Sequence, residues 1–254
     1  MATDTPTAHR TAAALAEGAP GHAGPAVDAA LAIVRDTLEE VFAAVESTRA
    51  ATAELFRRAA DGRSPAVAEL AALRPLLLAQ LAAHAPLISG AGFVAEPGSL
   101  ADAPSWLEWW QPGPNGTPQP LRQHLDPDRS ALADYTHWDW FAIPRSTGRR
   151  AVSGPYVDYL CSDEYSLTLA APVEVDGVFR GVAAADVYLR HFEAAVLPAL
   201  RRIGAPACLV NAKGRVAAST SARHLAGSLL RSPDPATHTL LPCGSVPLTL
   251  VVTG

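Results

Sequence analysis

Apolar residues at Val27, Leu31, Val34, Leu38, Val41 and Val45 follow one another at spacings of 4, 3, 4, 3 and 4. Thr48, Thr52 and Leu55 continue the rhythm, while Arg35, Asp36, Glu39, Glu40, Glu46 and Arg49 fall off the seam. A stripe of this period predicts a long helix with a heptad-like face, ended at Asp61-Gly62. A second helix is expected after Ser64-Pro65, running through Leu70, Leu73, Leu77 and Leu81 with a kink at Pro75. From Pro86 onward the pattern shortens into strands. These are Leu87–Ala95, Trp106–Gln111, Tyr156–Tyr159, Tyr165–Val175 and Val178–Val187, the last two joined by the hairpin turn Asp176-Gly177. Gln111 to Pro120 reads as a loop. A helix over Leu189–Arg202 is followed by a small hairpin, Cys208–Asn211 and Arg215–Ala218, around Lys213-Gly214. A short helix near Arg223–Leu230 and a strand over Val246–Val252 complete the pattern. Runs of like elements, rather than strict alternation, predict an α+β fold with an antiparallel sheet and a small C-terminal α/β extension. Three segments are expected: a disordered tail over 1–25, a main domain over 26–204 and an extension over 205–254.

Composition narrows the function. The chain has 254 residues, 49% apolar and 18% charged, with a net charge of −5, which fits a globular domain with a sizeable core. No concentrated basic stretch exists to meet phosphates, so nucleic acid is not an expected partner. No window approaches 18 consecutive apolar residues, and Met1–Pro25 lacks the apolar core of a signal peptide, so no membrane contact is expected. Three widely spaced cysteines, Cys161, Cys208 and Cys243, suit reduced, buried thiols and a cytoplasmic location. Of the 20 Lys and Arg residues only Lys213 is a lysine; this bias, with abundant Ala, points to a GC-rich, bacterial source more than to selection for guanidinium chemistry.

The chemistry-bearing residues concentrate in the middle. Fourteen of the sixteen aromatic residues lie between Phe93 and Phe192, and all five Trp between Trp106 and Trp140. Tyr135-Thr-His-Trp-Asp-Trp-Phe141 interleaves aromatic and polar groups more densely than a core strand does. Indole and phenol faces beside carboxylates are what an organic cation requires, through cation–π attraction and an ion pair. Hydrolase, zinc-protease, dithiol and phosphate-loop motifs are absent. His124-Leu-Asp126-Pro-Asp128 reads as a capped turn rather than a metal site, so neither metal nor cofactor is expected.

Ser153-Gly-Pro-Tyr-Val-Asp158, then Tyr165–Val173, then Gly181–Asp186 resembles the Cache sensor domains, the PAS-like ligand-binding modules of bacterial receptors. In the amino-acid-binding members an R-x-W-Y segment precedes T-x-P-Y-x-D and a T-x-x-x-P-V strand. Trp140 and Phe141 fall on the W-Y pair; Ser153, Pro155, Tyr156 and Asp158 fall on the second segment; Thr168, Pro172 and Val173 fall on the third. The similarity spans residues 27–190 and implies a long N-terminal helix packed on a PAS-like antiparallel sheet. It also implies a ligand site whose ammonium anchor is Asp158. Two departures stand out. At the site, the carboxylate-gripping Arg of the first segment is replaced by Trp138, and the Tyr five residues before it by Ala133. In location, Cache domains usually sit outside the membrane between two spanning helices, and none is read here, so a soluble, cytosolic relative is expected. Arg145, Arg149 and Arg150 are the candidates to replace that Arg.

The expectation is a non-enzymatic sensor or binding protein for an organic amine or amino-acid-like cation. Tyr135, Trp138, Trp140, Phe141, Tyr156, Asp158 and Asp186 are the expected ligand-binding residues. Of Trp138 and Trp140, a helical segment would turn only one directly into the site, and Trp140 is the expected one. Without a visible output domain, signalling would pass through a partner. A helix of some thirty residues reaches roughly 45–50 Å, longer than one sheet, so a homodimer along its stripe is expected. Two alternatives remain: an enzyme using the same pocket with His137 as general base, and a dimerisation module with a vestigial pocket.

Overall fold

The structure, a computed structural model, describes residues 24–59, 63–113, 115–121, 134–158, 164–231, 233–234, 237–244 and 246–253, except for the side chain of Asp158. The tail before residue 24, the Asp61-Gly62 stop, the His124–Asp128 triplet, Ala133 and Cys161 lie outside the described residues. The chain forms two compact units. One comprises Glu40–Ser153 and Val157–Tyr188, and the other Met1–Glu39, Gly154–Tyr156 and Leu189–Gly254.

Helix α1 runs from Pro25 to Arg58. Its stripe is as read: Val34, Leu38, Val41, Val45, Thr48 and Thr52 are all at most 1% exposed. This alters the argument for a second copy, because from Val34 to Thr52 the seam is already covered within one chain. Apolar surface remains at the first turns, with Val27 and Leu31 partly exposed and Ile33 40% exposed, and at Leu55 near the other end. Arg49 pairs with Glu46, and Arg57 and Arg58 with Glu54, on the solvent side, where water screens them.

In the larger unit the expected second helix is divided. Helix α2, Val67–Leu70, passes through a 3₁₀ turn, Ala71–Leu73, into α3, Arg74–Ala83. Pro75 sits in the first turn of α3, where its missing N–H has no partner to lose, instead of kinking a continuous helix. A reciprocal amide hook ties α3 to α1. Thr48 Oγ1 donates to Gln80 Oε1 at 3.0 Å, and Gln80 Nε2 donates to the Ala44 carbonyl at 2.8 Å. Thr48 and Gln80 are both buried, so Thr48→Val should leave an amide oxygen without its donor and lower stability by about 1–3 kcal/mol. Thr48→Val combined with Gln80→Leu should recover much of that loss; urea unfolding of both variants checks it.

Strands β1 (Gly90–Ala95), β2 (Leu107–Pro112), β3 (Pro118–Pro120), β4 (Ala151–Asp158), β5 (Glu164–Val175) and β6 (Val178–Tyr188) build one sheet, with helix α4 (Asp139–Thr147) between β3 and β4. The strand order is β3-β2-β1-β6-β5-β4, and β1–β2, β1–β6, β2–β3 and β5–β6 are antiparallel. Asp176 and Gly177, with φ of 55° and 75°, make the two-residue turn that the Asp-Gly pair announces. Side chains alternate across the sheet. Leu167, Leu169, Val173, Ala183, Ala185, Val187 and Phe93 share one face and are all at most 1% exposed. This face meets α1, where Phe56 packs edge-on against Phe93 at 5.9 Å. Glu108 and Trp110 lie on the same side; Glu108 Oε1 accepts from Trp110 Nε1 at 3.1 Å and from Arg74 Nε of α3 at 3.2 Å.

The smaller unit holds α5 (Leu189–Arg201), β7 (Ala207–Asn211), β8 (Val216–Ser219), β9 (His238–Pro242) and β10 (Leu248–Thr253). Its antiparallel sheet has the order β8-β7-β10-β9. Cys208, Val210, Val216, Leu230, Leu240 and Val251 fill one side of it. Burial pushes the Cys208 and Cys243 thiols up to about 11 and about 12, so both are packing groups rather than nucleophiles. The helix expected near Arg223–Leu230 does not form. There the backbone makes only single turns, His224 N–H to Ser221 and Ser228 N–H to Leu225, and otherwise bonds to the neighbouring segment: Val216 N–H donates to Ser228, Gly227 N–H to Val216 and Leu230 N–H to Gly214. The Arg215 guanidinium donates to the Gly227 carbonyl at 2.6 Å. Strand β9, hidden among prolines, and the short β3 in the expected loop went unread in the sequence. The anticipated α+β architecture, with a long N-terminal helix on an antiparallel sheet and a small C-terminal extension, is otherwise the observed one.

Candidate functional site

The face of the large sheet turned away from α1 has a different texture. Register places Thr168, Ala170 and Pro172 of β5 opposite Asp186, Ala184 and Val182 of β6, and these opposite Gly90, Gly92 and Val94 of β1. Trp109 of β2, paired with Gly92, shares the face. Its centre is therefore made of glycine and alanine, flanked by a carboxylate and an indole. Asp186 is 5% exposed. Its Oδ1 accepts a hydrogen bond from Thr168 Oγ1 at 2.5 Å. Ser89 fixes the main chain there, donating both its N–H (2.8 Å) and its hydroxyl (3.0 Å) to the Asp186 carbonyl. A buried carboxylate needs charged or hydrogen-bonding partners to remain ionised, and in this position it is suited to receive a cation.

Trp109 lies flat along the glycines. Its Nε1 stands 2.8 Å from where a Cβ on Gly90 would be, and its Cα 2.8 Å from a Cβ on Gly92. The residue is 5% exposed, and Nε1 is buried without a hydrogen-bond partner. Leaving such a donor unpaired costs about 1–3 kcal/mol. Trp109 was missed in the sequence because the strand pattern alone does not tell which of Trp106, Trp109 and Trp110 faces a site. The Gly90-x-Gly92 pair opposite it, at the spacing that keeps one strand face bare, was the available signal.

The Tyr135–Phe141 segment is used differently from the expectation. Tyr135 is 1%, Trp140 6% and Phe141 0% exposed. The Tyr135 hydroxyl donates to the Ala95 carbonyl at 2.7 Å, and burial raises its pKa. Its ring stacks on Trp140 at 6.4 Å and meets Phe141 edge-on at 5.2 Å. Phe141 in turn meets Phe179 at 5.6 Å, and Phe179 pairs with Glu174, on the Thr168 side of β5. These three aromatics thus dock α4 onto the sheet end remote from Asp186. Trp138 caps α4 as its N-cap residue and is partly exposed. His137 has 61% of its side chain exposed beside Asp134, in solvent rather than in a pocket suited to a general base.

Tyr156 is partly buried on β4, in the stretch Gly154–Tyr156 that belongs to the smaller unit. Asp158 ends the same strand, and its side chain lies outside the described residues. Of the arginines considered as replacements, Arg145 is engaged with Glu96 at 2.5 Å, whose remaining carboxylate oxygen is buried and whose pKa burial raises. Arg150 lies 4.3 Å over the Phe42 ring of α1, and Arg149 is exposed. A groove of about 500 Å³ between Ala51–Ala59 and Glu69–Leu73 has its rim charges paired, Glu54 with Arg58 and Glu69 with Arg63. Among the described residues no three His, Cys, Asp or Glu side chains converge to hold a metal, and no helix is long and apolar enough to cross a membrane.

Residues 122–194 match the family model of the methyl-accepting chemotaxis protein-like, first PDC sensor domain. No curated protein sequence matches. Among solved structures, the ligand-binding domain of Campylobacter jejuni chemoreceptor Tlp3 in complex with 4-methylisoleucine is 15% identical with a TM-score of 0.59, over 99% of this chain and 93% of that one. The ligand-binding domain of the Pseudomonas aeruginosa PAO1 amino acid chemoreceptor PctC in complex with GABA is 17% identical, TM-score 0.54, over 87% and 92%. The extracellular domain of the putative histidine kinase mmHK1S-Z3 is 14% identical, TM-score 0.58, over 88% of both chains. The long helix, the antiparallel sheet and the matched central segment together give this chain the fold of the Cache (PDC) sensor domains.

Proposed function

We propose that the chain is a ligand-sensing module that takes an organic amine or amino-acid-like cation on the glycine- and alanine-lined face of its large sheet and passes the signal to a partner. The observation that carries this reading is the buried Asp186 carboxylate, held by Thr168 Oγ1 on a main chain that Ser89 fixes, beside a surface of Gly90, Gly92, Ala170 and Ala184. Asp158, at the end of β4, is proposed as a second anchor on the strength of its place in the Ser153–Asp158 segment. Trp138 stays with them as the aromatic of its segment that is not committed to the core. The likeness to chemoreceptor sensor domains supports the reading, and the exposed setting of His137 weighs against the enzymatic alternative. A thermal-shift screen of amines, amino acids, carboxylates and purines tests it. Amines and amino acids should raise Tm in a saturable way, by mass action on the folded state. A screen in which only carboxylates or purines stabilise the protein would overturn the assignment.

We further propose a homodimer through the first turns of α1, where Leu31 and Ile33 keep apolar surface. Changing both to Glu should give a monomer that still binds ligand. Sedimentation showing the wild-type protein monomeric at tens of micromolar would remove the idea. Cytoplasmic placement is part of the same proposal and rests on cysteine usage. Alkaline phosphatase fusion, active only outside the reducing compartment, decides it.

A further inference from the structure

The unpaired indole N–H of Trp109 narrows the class of ligand. Trp109 is 5% exposed and its Nε1 has no hydrogen-bond partner. Its place on the sheet is set by glycine. A Cβ on Gly90 would stand 2.8 Å from Nε1, so the N–H edge occupies the space that any other residue at position 90 would fill. Gly90 is the register partner of Asp186, and directly opposed positions of an antiparallel pair put their Cβ atoms about 4.5–5.5 Å apart. The indole donor and the Asp186 carboxylate are therefore neighbours on one face, one offering a hydrogen and the other a negative charge. Glu108 and Trp110, on either side in sequence, point to the opposite face and satisfy each other there, so the missing partner of Trp109 is not supplied from its own strand.

We propose that Trp109 is a specificity-determining residue whose indole N–H binds an oxygen acceptor on the ligand three bonds from its cationic nitrogen. The site then selects amines that carry such an acceptor over plain alkylamines. This rests on the reading of the Asp186 face as the ligand site. A plain amine satisfies the carboxylate but leaves the buried donor empty, whereas an amino alcohol, amino amide or amino acid satisfies both. Discrimination by an unmet buried donor is sharper than discrimination by size.

The test compares binding of ethanolamine, L-alaninamide, L-alanine and n-propylamine by calorimetry to the wild-type chain, Asp186→Asn, Trp109→Phe and Trp109→3-benzothienylalanine. The last substitution keeps the bicyclic shape and replaces the N–H by sulfur, so packing on Gly90 and Gly92 is retained. At least one oxygen-bearing amine should bind wild type tenfold or more tightly than n-propylamine, and that advantage should vanish in both Trp109 variants while n-propylamine is unchanged. The alaninamide and alanine arms separate a neutral from an anionic acceptor. In the ¹⁵N spectrum, the indole cross-peak lost in Trp109→Phe should move downfield with the preferred ligand in the wild-type chain. Equal loss for all four compounds on Trp109→Phe, with none on the isostere, would make Trp109 a packing residue and overturn this inference alone. Binding that ignores Asp186→Asn, or no binding of any amine, would overturn the site and this inference with it.

Discussion

Asp186→Asn is expected to weaken binding of a cationic ligand at least thirtyfold while leaving the protein folded. Removing one member of a buried, hydrogen-bonded charge pair costs about 2–5 kcal/mol of affinity, and each 1.4 kcal/mol is tenfold. The fold should survive because Asn keeps the shape and an amide oxygen that can still accept from Thr168 Oγ1, now 2.5 Å from the carboxylate. The main-chain carbonyl at position 186 keeps both donations from Ser89. Thermal unfolding of the ligand-free variant should show a single cooperative transition, as for the wild-type chain. Calorimetric titration with the best compound from the screen, alongside thermal unfolding, gives both quantities. A Kd within threefold of wild type would remove Asp186 from the site. The same titration on Asp158→Asn apportions the charge recognition between β4 and β6.

Gly92→Ala should be among the most damaging single substitutions in the chain. The added Cβ would stand 2.2 Å from the Glu108 carbonyl oxygen and 2.8 Å from the Trp109 Cα. Both obstacles are main-chain atoms of the paired strand, so no rotamer change relieves them, and β1 and β2 must separate locally. Overpacking of this kind costs about 3 kcal/mol, more where backbone must move. It also displaces Trp109, so whatever fraction folds should bind ligand poorly. Gly98→Ala is the control. Its φ of 75° is left-handed, but nothing lies within 4 Å of the new Cβ, so only conformational strain of about 1–2 kcal/mol applies. Unfolding in urea should rank wild type, Gly98→Ala and Gly92→Ala in that order. Comparable stability of the two variants would show that the β1–β2 approach is looser than its geometry indicates.

Local pattern was legible wherever one physical constraint governs one residue pair or one period. The stripe from Val27 to Leu55 specified a helix because burial at a 3.5-residue spacing admits no other regular structure, and α1 follows it. Asp176-Gly177 specified a hairpin because two consecutive positive φ values are cheap only for such residues. The motif order Ser153–Asp158, Tyr165–Val173, Gly181–Asp186 resembles that of the Cache domains, and the resemblance carried the fold expectation. Strand β9 escaped because Pro233, Pro235 and Pro242 around it are the usual marks of a loop. The false helix near Arg223 has good helical composition, but the Gly227 and Leu230 donors and the Ser228 carbonyl are claimed by β8 and its approach.

Which side chains meet was decided by tertiary structure alone. Aromatic density around Tyr135–Phe141 signals either a ligand box or a core, and composition is the same for both. The hydroxyl of Tyr135 on the Ala95 carbonyl and the contact of Phe141 with Phe179 made it core. Conversely, Trp109 reads as one of three similar indoles in the sequence. Strand register turned Trp110 toward Glu108 and α3, and turned Trp109 toward the glycines and Asp186. The sequence by itself determined the long helix, the hairpin and most of the strands, because periodicity and turn chemistry act over a few neighbouring residues; the fold family came from the resemblance of its motifs. Only the tertiary structure decided which face of the sheet is bare and which carboxylate and indole stand on it, because a one-residue change of register would exchange the two faces without altering the composition of any strand.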